Sequence, residues 1–219
     1  MATGSLREQN KQRTFERIKE VARRLFEEKG YEHTTTREVA EAACIGTGTL
    51  FLYARDKAEL LILVYADSMR EITGHVFATI PERMSLLDAL MHVFNPFFDL
   101  YGQHPENARH FLKELLFHSS ERRGHQEFEA LHVEFLKRLA HLVRQAQDGG
   151  EIRRDVDPRQ AAACFFAVYF AAVTAWLGSF LVLEPSESGS LDPLRALFEL
   201  QIRGMLPEGR VLDVSIHED

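Results

Sequence analysis

Apolar positions recur at helical spacing along almost the whole chain. Phe15, Ile18, Ala22, Leu25 and Phe26 fall on one face of a first helix, with Arg17, Lys19, Arg23 and Arg24 on its other faces. Gly30 suits the stop of that helix, and Tyr31 is placed to pack back on it. Thr35-Thr36-Arg37-Glu38 has the spacing of a capping box, which starts a short second helix with Thr36, Val39, Ala40 and Ala43 on one side. A third begins near Gly46 or Thr47. A second box, Asp56-Lys57-Ala58-Glu59, opens a long fourth helix through Leu60, Val64, Ile72 and Val76. Ser85-x-x-Asp88 opens a fifth, which Pro96 should kink or end because proline lacks the backbone donor. Pro105 suits a first helical turn, so Glu106 to His118 reads as helix; Ser119 to Gly124 is a break. His125 to Gln147 is long and amphipathic, with Asp148-Gly149-Gly150 as its stop, and Asp157-Pro158 and Asp192-Pro193 start two more helices. No useful period-2 stretch occurs. The pattern predicts an all-α protein of about nine helices and no sheet, with a frayed acidic tail over 207–219.

Composition adds a class and no more. The 219 residues are 45% hydrophobic and 27% charged, ordinary for a folded globular chain. Cys44 and Cys164 lie far apart and form no CxxC or Cys/His cluster, which suits a reducing, cytoplasmic setting. No charged leader with an apolar core opens the chain, so secretion is not expected. The net charge of −7 is unevenly spread: residues 1–57 carry +2 and residues 58–219 carry −9. Two segments with different partners follow, the first only mildly suited to a polyanion.

Against that background the uncharged stretch Cys44-Ile45-Gly46-Thr47-Gly48-Thr49-Leu50-Phe51-Leu52-Tyr53 is informative. Two short helices joined by a glycine-bearing turn, after a longer bracing helix, form the pattern of a helix-turn-helix, whose second short helix enters the DNA major groove. Gly48 permits close backbone approach, Leu50 anchors inward, and Thr47, Thr49 and Tyr53 offer hydroxyls to phosphates or base edges. Arg37, Arg55 and Lys57 supply positive charge around it. Gly30-Tyr31, Thr35 to Ala40, Ala43 to Phe51 and Asp56-Lys57-x-Glu59-Leu60, in that order and spacing, resemble the amino-terminal DNA-binding domain of the TetR family of transcriptional regulators. The run Gly150-Glu151-Ile152-Arg153-Arg154-Asp155-Val156-Asp157-Pro158 is similar to a connection found later in that family.

The resemblance implies a three-helix reading domain over residues 1–56, a larger helical ligand-binding and dimerisation domain over 57–206, and the tail. It implies that Thr35, Thr36, Arg37 and Lys57 touch phosphates and that Thr47 and Thr49 face bases; Gly46, Gly48, Leu52 and Tyr53 complete the candidate DNA-binding set. Here the chain departs from the family's pattern. Cys44 stands for the usual turn glycine, Gly46 for a serine cap, Thr47 for a basic residue, and Leu52-Tyr53-Ala54 for a tyrosine, histidine and phenylalanine. The implied mechanism is a repressor that binds an inverted-repeat double-stranded operator as a homodimer and is released by a small-molecule effector.

Ala161 to Leu183 is a run of 23 residues without charge, long enough to span a bilayer. It contains many small residues and lacks a flanking basic cluster, so burial on two sides is expected and no membrane partner. Helices near 158–184 and 192–206 are the expected dimer interface. Phe94, Phe97, Phe98, Tyr101, Phe111, Phe166, Tyr169, Phe170 and Trp176 are the candidate ligand-binding residues, pointing to a lipophilic or aromatic effector near the Pro96 interruption. Eight of ten histidines lie between His75 and His141, but consecutive ones are 6 to 17 residues apart, so no local metal site is written and no metal or other cofactor is expected. No phosphate loop, GxSxG or HExxH occurs, and no catalytic residues are assigned. The alternatives are the same DNA-binding fold with a protein partner as output, or an unfamiliar helical enzyme.

Overall fold

The computed structural model describes residues 6–117, 123–178 and 192–210. Most of the expected break at 119–124, the end of the charge-free run beyond Gly178 and the tail from 211 lie outside the described residues. Among those described are nine helices and no strand: α1 (Leu6–His33), α2 (Thr36–Ala42), α3 (Thr47–Leu50), α4 (Lys57–Ala78), α5 (Leu86–Gln103), α6 (Pro105–Phe117), α7 (Arg123–Asp148), α8 (Pro158–Gly178) and α9 (Asp192–Arg203). They form two compact units, one of Met1–Glu71 with Leu100–Leu131, the other of Ile72–Asp99 with His132–Asp219. The division follows packing and runs through α4, α5 and α7, whereas the sequence suggested a boundary ahead of α4.

In the first unit all five apolar residues of the α1 face are buried. Lys19, expected on an outer face, is buried as well. Its Nζ lies 2.6 Å from Asp67 Oδ2 on α4 and 2.9 Å from Glu16 Oε2; a buried ammonium persists where such partners replace its water. The helical path of α1 breaks at Gly30 (φ 79°, ψ 161°), a conformation open to glycine and strained for other residues. Thr35 forms the expected capping box with Glu38. The second box forms only in part. Glu59 N–H donates to Asp56 Oδ1 at 2.8 Å, but the buried Glu59 carboxylate accepts from Arg55 N–H (2.8 Å) and from Gly124 N–H (3.4 Å) at the start of α7. A carboxylate at that helix start meets unsatisfied amides and the positive end of the helix dipole. A Cβ on Gly124 would sit 3.1 Å from Ile62 Cγ2, so any side chain there would push the Ile62 side chain by a few tenths of an ångström.

The second unit is built on aromatic rings. Phe94 stacks on Tyr169 at 4.5 Å and lies 5.4 Å from Phe198 and 5.7 Å from Phe135, which joins α5, α7, α8 and α9. Pro96 does not end the helix: α5 continues through it to Gln103. A mid-helix proline is unfavourable by about 3 kcal/mol, whereas burying each of Phe94, Phe97 and Phe98 is favourable by roughly 1.5–3 kcal/mol. Tertiary burial therefore outweighs the lost donor. Helix α8 has the length and mean hydropathy, 1.8, of a membrane span. Its Phe165, Tyr169 and Val173 are nonetheless buried, with Phe165 edge-on to Phe198 of α9 at 5.6 Å. Ahead of α8, Gln147 Nε2 donates to Arg153 O and Val156 O, both at 2.8 Å, and so fixes the Gly150–Pro158 connection.

Candidate functional site

Helices α2 and α3 are joined by a turn in which Cys44 adopts φ 53°. Ile45 N–H donates to Ala40 O, and Cys44 N–H to Glu41 O, both at 3.0 Å. Those two bonds with a left-handed residue between them are a Schellman stop. The position that the resemblance reserves for glycine is thus one whose backbone favours it, and Cys44 occupies it with a side chain exposed to solvent.

Helix α3 is a single assigned turn, but its bonding pattern continues: Phe51 N–H donates to Thr47 O and Ala54 N–H to Leu50 O. Leu50 and Ala54 are buried and hold the segment down. On the opposite side Gly46, Gly48 and Thr49 are exposed, Thr47 is half-buried, and Leu52 is 82% and Phe51 48% exposed. This face carries no charge and presents methyl, hydroxyl and apolar groups, a set suited to thymine methyls and base edges. Tyr53 is turned into the unit, its ring stacked on Phe15 at 5.8 Å; the Arg123 guanidinium lies 4.0 Å from the same Phe15 ring.

The charged candidates lie outside this strip, on α2 and at the start of α4. Arg37 is exposed on α2, with its guanidinium 2.8 Å from Glu41, whose hydrogen bond and charge raise the Arg37 pKa further. Glu38 is held down to about 2 by hydrogen bonds from Lys29 and Thr35. Thr35 uses its hydroxyl in the cap and Thr36 is half-buried. Lys57 points at the end of α1: Nζ donates to Tyr31 O (2.7 Å) and Glu32 O (3.2 Å) and sits 4.3 Å from the Tyr31 ring centroid. Partial burial lowers its pKa.

Tyr31 is the centre of a junction that local sequence patterns do not disclose. Its ring also meets His110 at 4.5 Å, and its N–H donates to Asn107 Oδ1 at 2.7 Å. Asn107 is buried, and its Nδ2 donates to Phe26 O at 2.8 Å. One α6 side chain thereby joins the two sides of the Gly30 break. Nothing in the neighbourhood Pro105-Glu106-Asn107 distinguishes this asparagine, because its partners lie 76 and 81 residues away.

The nine aromatic candidates fall into two groups. Tyr101 and Phe111 pack in the first unit against Tyr65, with Phe111 stacked on it at 4.4 Å; burial raises the Tyr65 pKa. Phe94, Phe97, Phe98, Phe166, Tyr169, Phe170 and Trp176 pack ring on ring in the second unit, with Trp176 against Phe98 at 5.7 Å and Phe170 stacked on Phe166 at 6.0 Å. A cavity of about 1080 Å³ opens in that unit, lined by none of the nine and bordered by Phe77, Met84, Lys137 and His141 among others.

Sequence comparison assigns this geometry. A profile described as bacterial regulatory proteins, tetR family, matches residues 18–64, and one described as tetracyclin repressor-like, C-terminal domain, matches 87–177, together more than half of the chain. The chain belongs to the TetR family. It is accordingly a DNA-binding transcriptional regulator with a helix-turn-helix. Among TetR relatives, the fatty acid metabolism regulator protein of Bacillus subtilis is 23% identical over 160 residues, 73% of this chain and 81% of the relative. The fold matches Thermus thermophilus FadR, a repressor crystallised with lauroyl-CoA, at a TM-score of 0.67 and 23% identity over 91% of this chain and 98% of that one. It also matches SmeT, the repressor of the Stenotrophomonas maltophilia multidrug efflux pump SmeDEF, at 0.59 and 20% identity over 90% and 93% of the two chains.

Proposed function

We propose that this TetR-family regulator is a cytoplasmic repressor that binds an inverted-repeat operator as a homodimer and leaves it when a lipophilic effector binds. The observation that carries the reading is the α3 segment: an uncharged, solvent-facing strip from Gly46 to Leu52 anchored from below by Leu50 and Ala54, with Arg37 exposed on α2. Residues 1–56 act as the reading head and 57–206 as the effector and dimer domain. Thr47, Gly48, Thr49 and Leu52 approach bases; Thr35, Thr36, Arg37, Gly46, Tyr53 and Lys57 support the head or meet phosphates. Two heads need half-sites about 34 Å apart or a multiple of it.

Dimerisation is supported by the exposed small residues Ala163, Ala167, Ala171 and Gly178 along α8 and by the exposed Leu200 of α9. Small residues at this spacing let two helices approach closely, and Leu200 is exposed apolar area. An acyl effector is favoured because relatives are named for fatty acid metabolism and one neighbour was solved with lauroyl-CoA, and because the second unit is rich in aromatic rings. Such a ligand acts by binding the DNA-incompetent state better than the competent one. The test is a fluorescence-anisotropy titration with the chain's own upstream DNA. Saturable binding that weakens steeply with salt and is reversed by lauroyl-CoA is expected; affinity equal to that for random DNA would refute the reading.

A further inference from the structure

The cleft in the second unit is more selective than a lipophilic pocket requires. Its lining includes the apolar Phe77, Ile80, Leu86, Leu142 and Leu206. It also includes Arg83, Lys137, Arg138, His141 and Arg210. Residues 72–99 and 132–219 hold ten Lys and Arg against sixteen Asp and Glu, yet four of those ten basic side chains converge on this one cleft. Three carboxylates also border it, and two are engaged. Glu134 Oε1 is 3.0 Å from Arg138 Nε, and Glu151 accepts the Leu86 N–H at 3.0 and 3.1 Å. Arg210 donates to Gly150 O. Among the described residues Arg83 and Lys137 have no carboxylate partner, and both are exposed. Lys137, His141 and Gln145 follow one another at four-residue spacing, so α7 turns a single polar stripe toward the cleft. Phe77, which has the Arg138 guanidinium 5.9 Å from its ring centroid, meets Phe135 edge-on at 5.5 Å, and Phe135 meets Phe94 and Phe97 at 5.7 and 5.6 Å. The apolar lining is therefore continuous with the aromatic core.

Cations without a carboxylate partner beside an apolar lining fit a molecule that is anionic at one end and aliphatic at the other. The volume of about 1080 Å³ is at the upper end for a small-ligand site. We propose that this cleft binds the phosphorylated headgroup of an aliphatic effector, with Arg83 and Lys137 on the phosphate and the chain laid along Phe77. The assignment rests on the ligand-responsive reading and shifts its emphasis: none of the nine aromatic residues named from sequence lines the cleft, and the selecting groups are cations that sequence spacing did not bring together.

Isothermal titration of the full chain with lauroyl-CoA, 1-lauroyl-glycerol 3-phosphate and lauric acid tests it. Both phosphorylated probes, or lauroyl-CoA alone if the nucleotide part is also read, should bind at least about ten-fold tighter than lauric acid, because phosphate contacts by cations are charge-assisted. The double variant Arg83→Ala/Lys137→Ala should lose that preference and leave lauric acid unchanged, while Arg83→Lys/Lys137→Arg should keep it. Equal affinity for lauric acid, an unaffected double variant, or no binding of any probe would overturn the proposal. Operator release is measured separately. Release by lauric acid without the phosphate preference removes the cleft and leaves the regulatory reading; tight, phosphate-dependent binding without release does the reverse.

Discussion

Replacing Asn107 by alanine should loosen the reading head without touching its DNA-facing side. At the Gly30 break the Tyr31 N–H donates to Asn107 Oδ1 at 2.7 Å, while Asn107 Nδ2 donates to Phe26 O at 2.8 Å. A donor facing a carbonyl and an acceptor facing an N–H leave one amide orientation. Each hydrogen bond contributes about 1 kcal/mol net, and a buried backbone group stripped of its partner costs about 1–3 kcal/mol. Water entering the vacated space offsets part of that, so a loss of about 2–4 kcal/mol is expected. For a chain of this size each kcal/mol lowers Tm by roughly 2–4 °C, giving a drop of about 5–15 °C. Asn107→Asp keeps an acceptor for Tyr31 but turns an oxygen on Phe26 O, and should be no better than alanine. The exposed Lys113→Ala on the same helix should stay within about 0.5 kcal/mol of the parent. Urea unfolding followed by circular dichroism measures the loss, and hydrogen exchange at the Tyr31 amide localises it. A change below about 0.5 kcal/mol with unaltered Tyr31 exchange would refute the bridging role.

Three further outcomes are expected. Asp67→Asn leaves the buried Lys19 with only the exposed Glu16, so stability should fall by about 2–4 kcal/mol in thermal unfolding; a neutral result would mean that Lys19 reaches water. Leu52→Glu, at an 82% exposed position, should leave Tm unchanged and weaken operator binding at least about ten-fold by gel shift, whereas unaffected binding would remove Leu52 from the DNA face. Glu38 should titrate near 2 in a carbon-detected NMR experiment. Its folded pKa lies below the ordinary value of about 4.3, so the cap contributes above that value and is lost as pH falls through the folded pKa. Lys29→Ala should raise the midpoint, Lys29 being the largest contributor, and an unchanged midpoint contradicts the assignment.

Features confined to one turn of helix were legible in the sequence, and features made by distant residues were not. The Thr35 capping box, the inward Leu50 and the buried face of α1 are each specified within a few residues, and the structure carries them as the spacing predicts. Spacing alone puts Lys19 off the apolar face of α1; the partner that draws it inward, Asp67, is on α4. Pro96 was read as a breaker by a local rule that takes no account of three phenylalanines buried around it. The same contrast explains why the two candidate sites were unequally readable. A DNA-reading head is assembled from a contiguous stretch, so residue order carries its geometry. The cleft proposed for the effector draws on α4, α5, α7 and the segment after α9, and has no such signature.

Cys44 shows how the structure gives physical content to one departure from the family pattern. At φ 53° it holds a left-handed position inside the Schellman stop of α2, where a Cβ is unfavourable by about 1–2 kcal/mol relative to glycine. Glycine also gives the unfolded chain more freedom, which cancels roughly 0.4–1 kcal/mol of the gain. Cys44→Gly should therefore stabilise the head by up to about 1 kcal/mol, while Cys44→Val, with a branched Cβ, should destabilise it. Chemical denaturation of the two variants decides the matter. If valine were tolerated as well as glycine, the turn would have to accommodate a different backbone, and the placement of α3 that follows from it would change too.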